Sequence, residues 1–301
     1  MKKGLLFVFL TALISGLAIF LNKFAVSGIN SSVFTFSKNL IVAIFLLSII
    51  ILFKKHSELK QLTRKQWSAL ALVGLVGGSV PFLLFFKGLQ MTASIAGAFI
   101  HKTMFIYIAV LAVIFLKEKL SKSIFVAAAL LLAGNYFLLG INSFILDAGA
   151  ILILCATLFW AVESVISKKL LTSLSGNTVA FGRMFFGSVF ILAFLFATGQ
   201  AALITAVKGS QLLWIIITSV LLLGYVTTWY NGLKQVKVSV AASVLLLGSP
   251  ITTLLNFAYG SSITLQQWIG ITLLAAGAFV ALYFSQIRVR LPFPQHSRSE
   301  Q

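Results

Sequence analysis

Apolar runs, each about the length of one bilayer crossing, follow one another along nearly the whole chain, with short polar or basic runs between them. A helix needs about 20 apolar residues to cross the hydrocarbon core of a membrane. The pattern predicts helices near 4–24, 33–53, 68–88, 93–116, 122–141, 148–168, 177–197, 212–233, 238–258 and 265–285. The longest connections run from Lys54 to Gln66 and from Thr198 to Gln211, so no stretch is left for a soluble domain. Met1-Lys2-Lys3 and the apolar run behind it imitate a secretory leader. That run is too long and lacks a small-residue cleavage site, so it reads as an uncleaved first span.

The pattern repeats. One displacement places Gly4 on Gly149, Lys23 on Lys168, Phe36 on Phe181 and Lys38 on Arg183. With small gaps Trp67 then meets Trp214, Gly77 meets Gly224, Gly88 meets Gly232 and Gly134 meets Gly277. Each half holds five spans, and an odd number makes the second half start on the opposite face. The expected fold is therefore an all-α membrane protein, ten transmembrane helices in two inverted five-helix repeats, with a site at their interface. The expected units are 1–142 and 147–286, followed by a disordered tail, 287–301, containing Pro292 and Pro294.

Charge gives the orientation. Lys and Arg number 23 against 5 acids, and only 9% of residues are charged. On a soluble protein that excess would suggest nucleic acid; here the basic residues sit between apolar runs, so the expected partner is the lipid bilayer and no nucleic acid. Lys2, Lys3, Lys54, Lys55, Lys60, Arg64, Lys65, Lys117, Lys119, Lys122, Lys168, Lys169, Lys234, Lys237, Arg288, Arg290 and Arg298 all fall on the side of the chain ends. The positive-inside rule then puts both termini in the cytoplasm of a cell-membrane protein. The single cysteine, Cys155, allows no disulfide within the chain, and no metal, cofactor or phosphate loop is expected.

The run Lys117-Glu118-Lys119-Leu120 at the end of the fourth span, followed by Gly134, resembles the EamA family of the drug/metabolite transporter superfamily. Gly248-Ser249-Pro250, Trp268-Ile269-Gly270 and Gly277 carry the same resemblance in the second half. Ser261 departs from it, standing where a second-half glutamate is typical, and no proline falls at Phe105–Tyr107 to match Pro250. The resemblance implies a permease, often an exporter, of amino acids or other small metabolites.

Charged residues inside spans are the candidates for chemistry, because a cation at the centre of a helix costs roughly 2.5 to 3.5 kcal/mol to insert. Lys102 is the sharpest, either as a ligand for a substrate carboxylate or phosphate or as a proton-coupling group; the alternatives are a structural pair with a buried acid or snorkelling. Its neighbour His101 suits either the same site or a hydrogen bond between helices. Glu163, the one acid well inside a span, reads either as a helix lock with Arg183 or Lys168, or as a gate or proton site about a turn from the cytoplasmic end. Lys38 is the inverted counterpart of Arg183, a gate residue or an interfacial lysine. Tyr107, Trp160, the run of Trp229, Tyr230 and Asn231, and Asn256 complete the expected pocket, while Trp67, Trp214 and Trp268 suit the interfacial belt. Pro81 and Pro250 are the expected helix breaks. The small-residue pairs Ala129–Ala133 and Gly277–Ala281 suggest a tight helix pair, a homodimer surface or lipid contact.

Together these features predict no enzyme and no catalytic residues. They predict a secondary-active exporter of small organic metabolites, amino acids or related solutes with an anionic group, working by alternating access. A flippase for an anionic lipid-linked precursor is the alternative, and an intramembrane lipid-modifying enzyme the more distant one.

Overall fold

The computed structural model of the protein describes residues 2–25, 28–53, 56–92, 94–120, 122–140 and 146–287. Lys54, Lys55 and the expected disordered tail beyond Ile287 lie outside them. Among the described residues ten helices are long and apolar enough to cross a membrane. They are α1 (Lys3–Asn22), α2 (Ser31–Leu52), α3 (Arg64–Leu89), α4 (Ala96–Leu116) and α5 (Lys122–Leu139) in the first half. The second half holds α6 (Ala148–Leu170), α7 (Gly176–Ala197), α8 (Gly209–Gln235), α9 (Val238–Ala258) and α10 (Leu265–Tyr283).

Polar residues at the borders of the apolar runs set where these helices begin. Asn30 accepts from the Ser32 and Val33 amides, Asp147 from Ala150 and Ser175 from Thr178, while Thr63 and Gln66 form a capping box. The Ala150 amide, bonded at 2.7 Å, holds the Asp147 carboxyl below the usual carboxylate range.

Packing follows the inverted repeat. α1 lies along α8 as α3 lies along α6; α9 packs on α1 as α4 packs on α6. The helices α2 and α7 pair with each other, and so do α5 and α10. Exchanging every helix for its counterpart reproduces this pattern, which is what two upside-down copies of one unit require. Leu6, Ile44, Phe125, Phe196, Leu213 and Phe279 stay exposed on the outer faces, an apolar surface suited to acyl chains.

Small residues decide how close the fifth and tenth helices come. A Cβ built on Gly270 would lie 2.5 Å from the Leu138 amide and 2.8 Å from the Gly134 carbonyl. One on Gly277 would lie 2.9 Å from Leu131. The small faces therefore meet within one chain, and this corrects part of the sequence reading. The α5 residues that meet α10 are Ala127, Leu131, Gly134 and Leu138, whereas Ala129 is exposed.

Three spans are interrupted. In α3 a π-helical turn, Gly74–Ser79, separates Arg64–Val73 from Val80–Leu89. In α4 the ladder is disturbed at Thr103, whose hydroxyl bonds the Ile100 carbonyl at 2.7 Å, between Ser94–Lys102 and Met104–Leu116. In α9 the break falls at Leu246 and Leu247, between Val238–Leu245 and Gly248–Ala258. Pro81 and Pro250 thus follow the interruptions and sit in the first turn of the next helix. A residue without an N–H is tolerated there, since first-turn amides have no helical acceptor.

Candidate functional site

Because Pro81 has no N–H, the carbonyl four residues before it, that of Gly77, loses its α-helical donor. In a low-dielectric interior such a carbonyl must find another partner. Two side chains from the second half supply it: Trp160 Nε1 donates at 3.0 Å and Arg183 Nη2 at 3.1 Å. Beside it Asn39 Nδ2 donates to the Gly78 carbonyl at 2.9 Å. The π turn of α3 is thereby tied to α2, α6 and α7. Its glycines make this possible, since a Cβ on Gly77 would lie 2.3 Å from Glu163 Cγ and one on Gly78 only 2.5 Å from the Arg183 carbonyl.

Arg183 and Glu163 are brought together, but not as a simple ion pair. Nη1 lies 3.8 Å from Glu163 Oε2, and the phenol of Tyr230 is wedged between the two side chains. That phenol accepts from Arg183 Nη1 at 3.2 Å and donates to Glu163 Oε1 at 2.6 Å, where Ser167 also donates at 2.6 Å. Glu163 is 2% exposed and Arg183 8%, so the opposite charges offset each other's burial. Both charged residues lie two turns inside their helices, roughly 10 Å from the ends. This is slightly deeper than the sequence suggests, because α6 runs on to Leu170 and α7 already begins at Gly176. Lys168, the other expected partner of Glu163, donates instead to the carbonyls of Leu233 and Val236 at the end of α8.

The face that carries the lysine-rich loops is closed by a second acid. Lys117 adopts a left-handed conformation, φ 54°, and the chain turns there so that Glu118 reaches the start of α9. Its carboxylate accepts from the Val238 amide at 2.8 Å and from the Ser239 hydroxyl at 2.7 Å, where a helix favours negative charge. Lys237 Nζ donates in return to the Lys119 carbonyl at 3.0 Å. Beneath this clamp Met104–Leu116 of α4 packs on Val238–Leu245 of α9. Toward the other face Ser94–Lys102 and Gly248–Ala258 share no comparable packing, so α4 and α9 part.

Lys102 lies in the parted section of α4. It is half-buried, and among the described residues it has no hydrogen-bond or ion-pair partner. His101 beside it turns to a different surface: its ring meets Trp160 edge-on at 5.0 Å and Phe85 at 5.3 Å. Trp160 therefore touches His101 with its ring and the Gly77 carbonyl with its N–H. Lys38 keeps a local partner, Asn22 Oδ1 at 3.2 Å, and sits 4.7 Å over the Phe34 ring.

The other expected pocket residues have contacts of their own. Trp229 is buried and stacks on Tyr225 as part of the core, and Asn231 bonds Asn177 near the lysine-rich face. Tyr107 packs half-buried against the same core. Asn256, in the parted section of α9, bonds the Thr252 carbonyl at 2.8 Å. Ser167, Asn39, the capping role of Glu118 and the task of the Tyr230 hydroxyl are what sequence reasoning missed. Pro81 four residues after Gly77 was the one local signal for the node.

Two inverted five-helix halves in lipid, closed at one face and parted toward the other, make this a multi-pass membrane protein built as a transporter. Residues 2–140 and 147–283 match the EamA-like transporter family, and the chain belongs to that family. It is similar to the uncharacterized transporter YyaM of Bacillus subtilis, 29% identical over 77% of this chain and 78% of that one. An uncharacterized transporter of Clostridium kluyveri is 26% identical over 93% of both chains. A solved crystal structure shares the fold, with a TM-score of 0.80 over 96% of this chain and 99% of its own at 17% identity.

Proposed function

We propose that this transporter is a secondary-active carrier that exports small organic metabolites bearing an anionic group, by alternating access between the two faces. The supporting observation is the bare ammonium of Lys102, set where α4 and α9 part. Of the acids in the chain only Glu163 lies well inside a span, and it is engaged with Arg183, Tyr230 and Ser167. A cation left without a counter-charge in a membrane protein is best satisfied by an anion that comes and goes. Amino acids and related solutes are the leading class, and export the direction, on the resemblance to permeases of this family. The basic residues between spans support termini in the cytoplasm of a cell-membrane protein, and on that reading the parted side faces outward.

The test is transport in proteoliposomes across a panel of radiolabelled amino and organic acids. Lys102→Ala should weaken apparent affinity by about 10- to 100-fold, the worth of a charge-assisted hydrogen bond, while the protein stays folded. Lys102→Arg should recover part of it. Unchanged transport in Lys102→Ala would remove this residue from the site. Translocation of a fluorescent anionic lipid, with no transport of any soluble acid, would establish the flippase reading instead.

A further inference from the structure

Among the described residues, the donors to the Gly77 carbonyl beyond its own helix both come from the second half, and both are side chains able to leave it: Trp160 of α6 and Arg183 of α7. These two bonds cross the seam between the inverted halves, because Gly77 belongs to the first and both donors to the second. In the matching place on α8 stands Gly224, and the residue four positions on is Thr228 rather than proline. Thr228 has its N–H, its hydroxyl also bonds the Gly224 carbonyl at 2.8 Å, and α8 runs unbroken from Gly209 to Gln235. The second half therefore has no free carbonyl there for Lys38, the counterpart of Arg183, and Lys38 stays with Asn22.

We propose that Pro81, the Gly77 carbonyl, Trp160 and Arg183 form a one-sided bolt. It holds the lysine-rich face shut, and Tyr230 acts as the positioning residue that keeps Arg183 on its acceptor. Tyr230 of α8 bonds both Arg183 and Glu163, and so ties this node, on the side of α3, α4 and α6, to α8 and to α1, on which α9 packs. The bolt must therefore be drawn before α4 can separate from α9 at that face, and among the described residues no equivalent holds the opposite face. Empty carrier therefore rests open on the side away from the lysine-rich loops. Trp160 links the bolt to cargo: its ring lies against His101, the residue next to Lys102, so a shift of α4 on anion binding strains the indole bond to Gly77. This inference rests on the alternating-access reading above and names the group that sets the resting state.

The experiment reads access, not transport. Ser243 lies on the packed section of α9 and is 3% exposed, so a cysteine there reports opening of the lysine-rich face. The reporter is Ser243→Cys in a Cys155→Ser background, in oriented vesicles without substrate, labelled with an impermeant maleimide from the side of the Lys60–Lys65 loop. Pro81→Ala returns an N–H to the Gly77 carbonyl and should displace its second-half donors. Trp160→Phe keeps the ring but removes one donor, and Tyr230→Phe removes the hydroxyl that holds Arg183.

Each should raise the labelling rate by about fivefold, the shift expected for losing one buried hydrogen bond. Thr228→Ser, at the matching place in the second half, should leave it unchanged. A flat labelling rate in both Pro81→Ala and Trp160→Phe would overturn the bolt, as would an equal rise in Thr228→Ser. If Pro81→Ala does not fold, Trp160→Phe alone decides. The readout is independent of Lys102: unchanged transport in Lys102→Ala together with raised labelling here would retire the anion site and leave the bolt standing.

Discussion

Gly77 and Gly224 hold matching places in the two halves, and their surroundings are opposites. A methyl group on Gly77 would sit 2.3 Å from Glu163 Cγ, whereas one on Gly224 would meet only the end of Ile14, at 3.3 Å. The first glycine lies in a π turn with its carbonyl drawn out by Trp160 and Arg183; the second lies in an ordinary helix. One proline accounts for much of this, since Pro81 denies Gly77 the amide that Thr228 offers Gly224. The ends of α4 and α9 repeat the lesson: Glu118 caps α9, while the corresponding position in the second half is Ser261. An inverted repeat supplies two equivalent frames, and a few polar substitutions make one face tight and leave the other slack.

The sharpest way to break the comparison is to remove Arg183. Arg183→Ala leaves Glu163 buried with Tyr230 and Ser167 but no opposite charge, and should destabilise the protein by about 3 to 5 kcal/mol, read by unfolding in detergent. Adding Glu163→Gln should restore a good part of that loss; no recovery would mean that Arg183 matters for packing alone. Gly77→Ala comes next, at roughly 1 to 3 kcal/mol, because a methyl there must push Glu163 aside. Gly224→Ala should cost nothing and could gain up to about 1 kcal/mol from better helix propensity. Equal losses at the two glycines would end the claim that the halves are packed differently.

Much of this was legible in the chain. The ten spans follow from apolar run length, and the inversion from pairs such as Lys38 with Arg183. The partnership of Glu163 with Arg183 was visible because acids are so scarce, although Lys168 competed for it until the end of α8 was seen to occupy that lysine. What stayed hidden was backbone chemistry. The Gly77 carbonyl leaves no trace in a pattern of side chains except through Pro81, which reads first as a kink. Tyr230 looked like one of three aromatic and amide groups in a row, and only the approach of α8 to α6 and α7 gives its hydroxyl a task. Glu118 reads as part of a basic loop motif; its use depends on the distant start of α9. Trp229 and Asn231 flank Tyr230 in the chain, yet Trp229 stacks on Tyr225 and Asn231 bonds Asn177, because neighbours in sequence point about 100° apart on a helix.

The crossing of α5 and α10 also bears on how such a molecule moves. Where Gly134 meets Gly270, main chain rests on main chain, with no side chain between them to change rotamer. A joint of that kind cannot absorb displacement by repacking, so the two helices turn as a single axle. In the alternating-access cycle proposed above, the other spans then have a fixed member to swing about, and the interrupted helices α3, α4 and α9 bear the excursion.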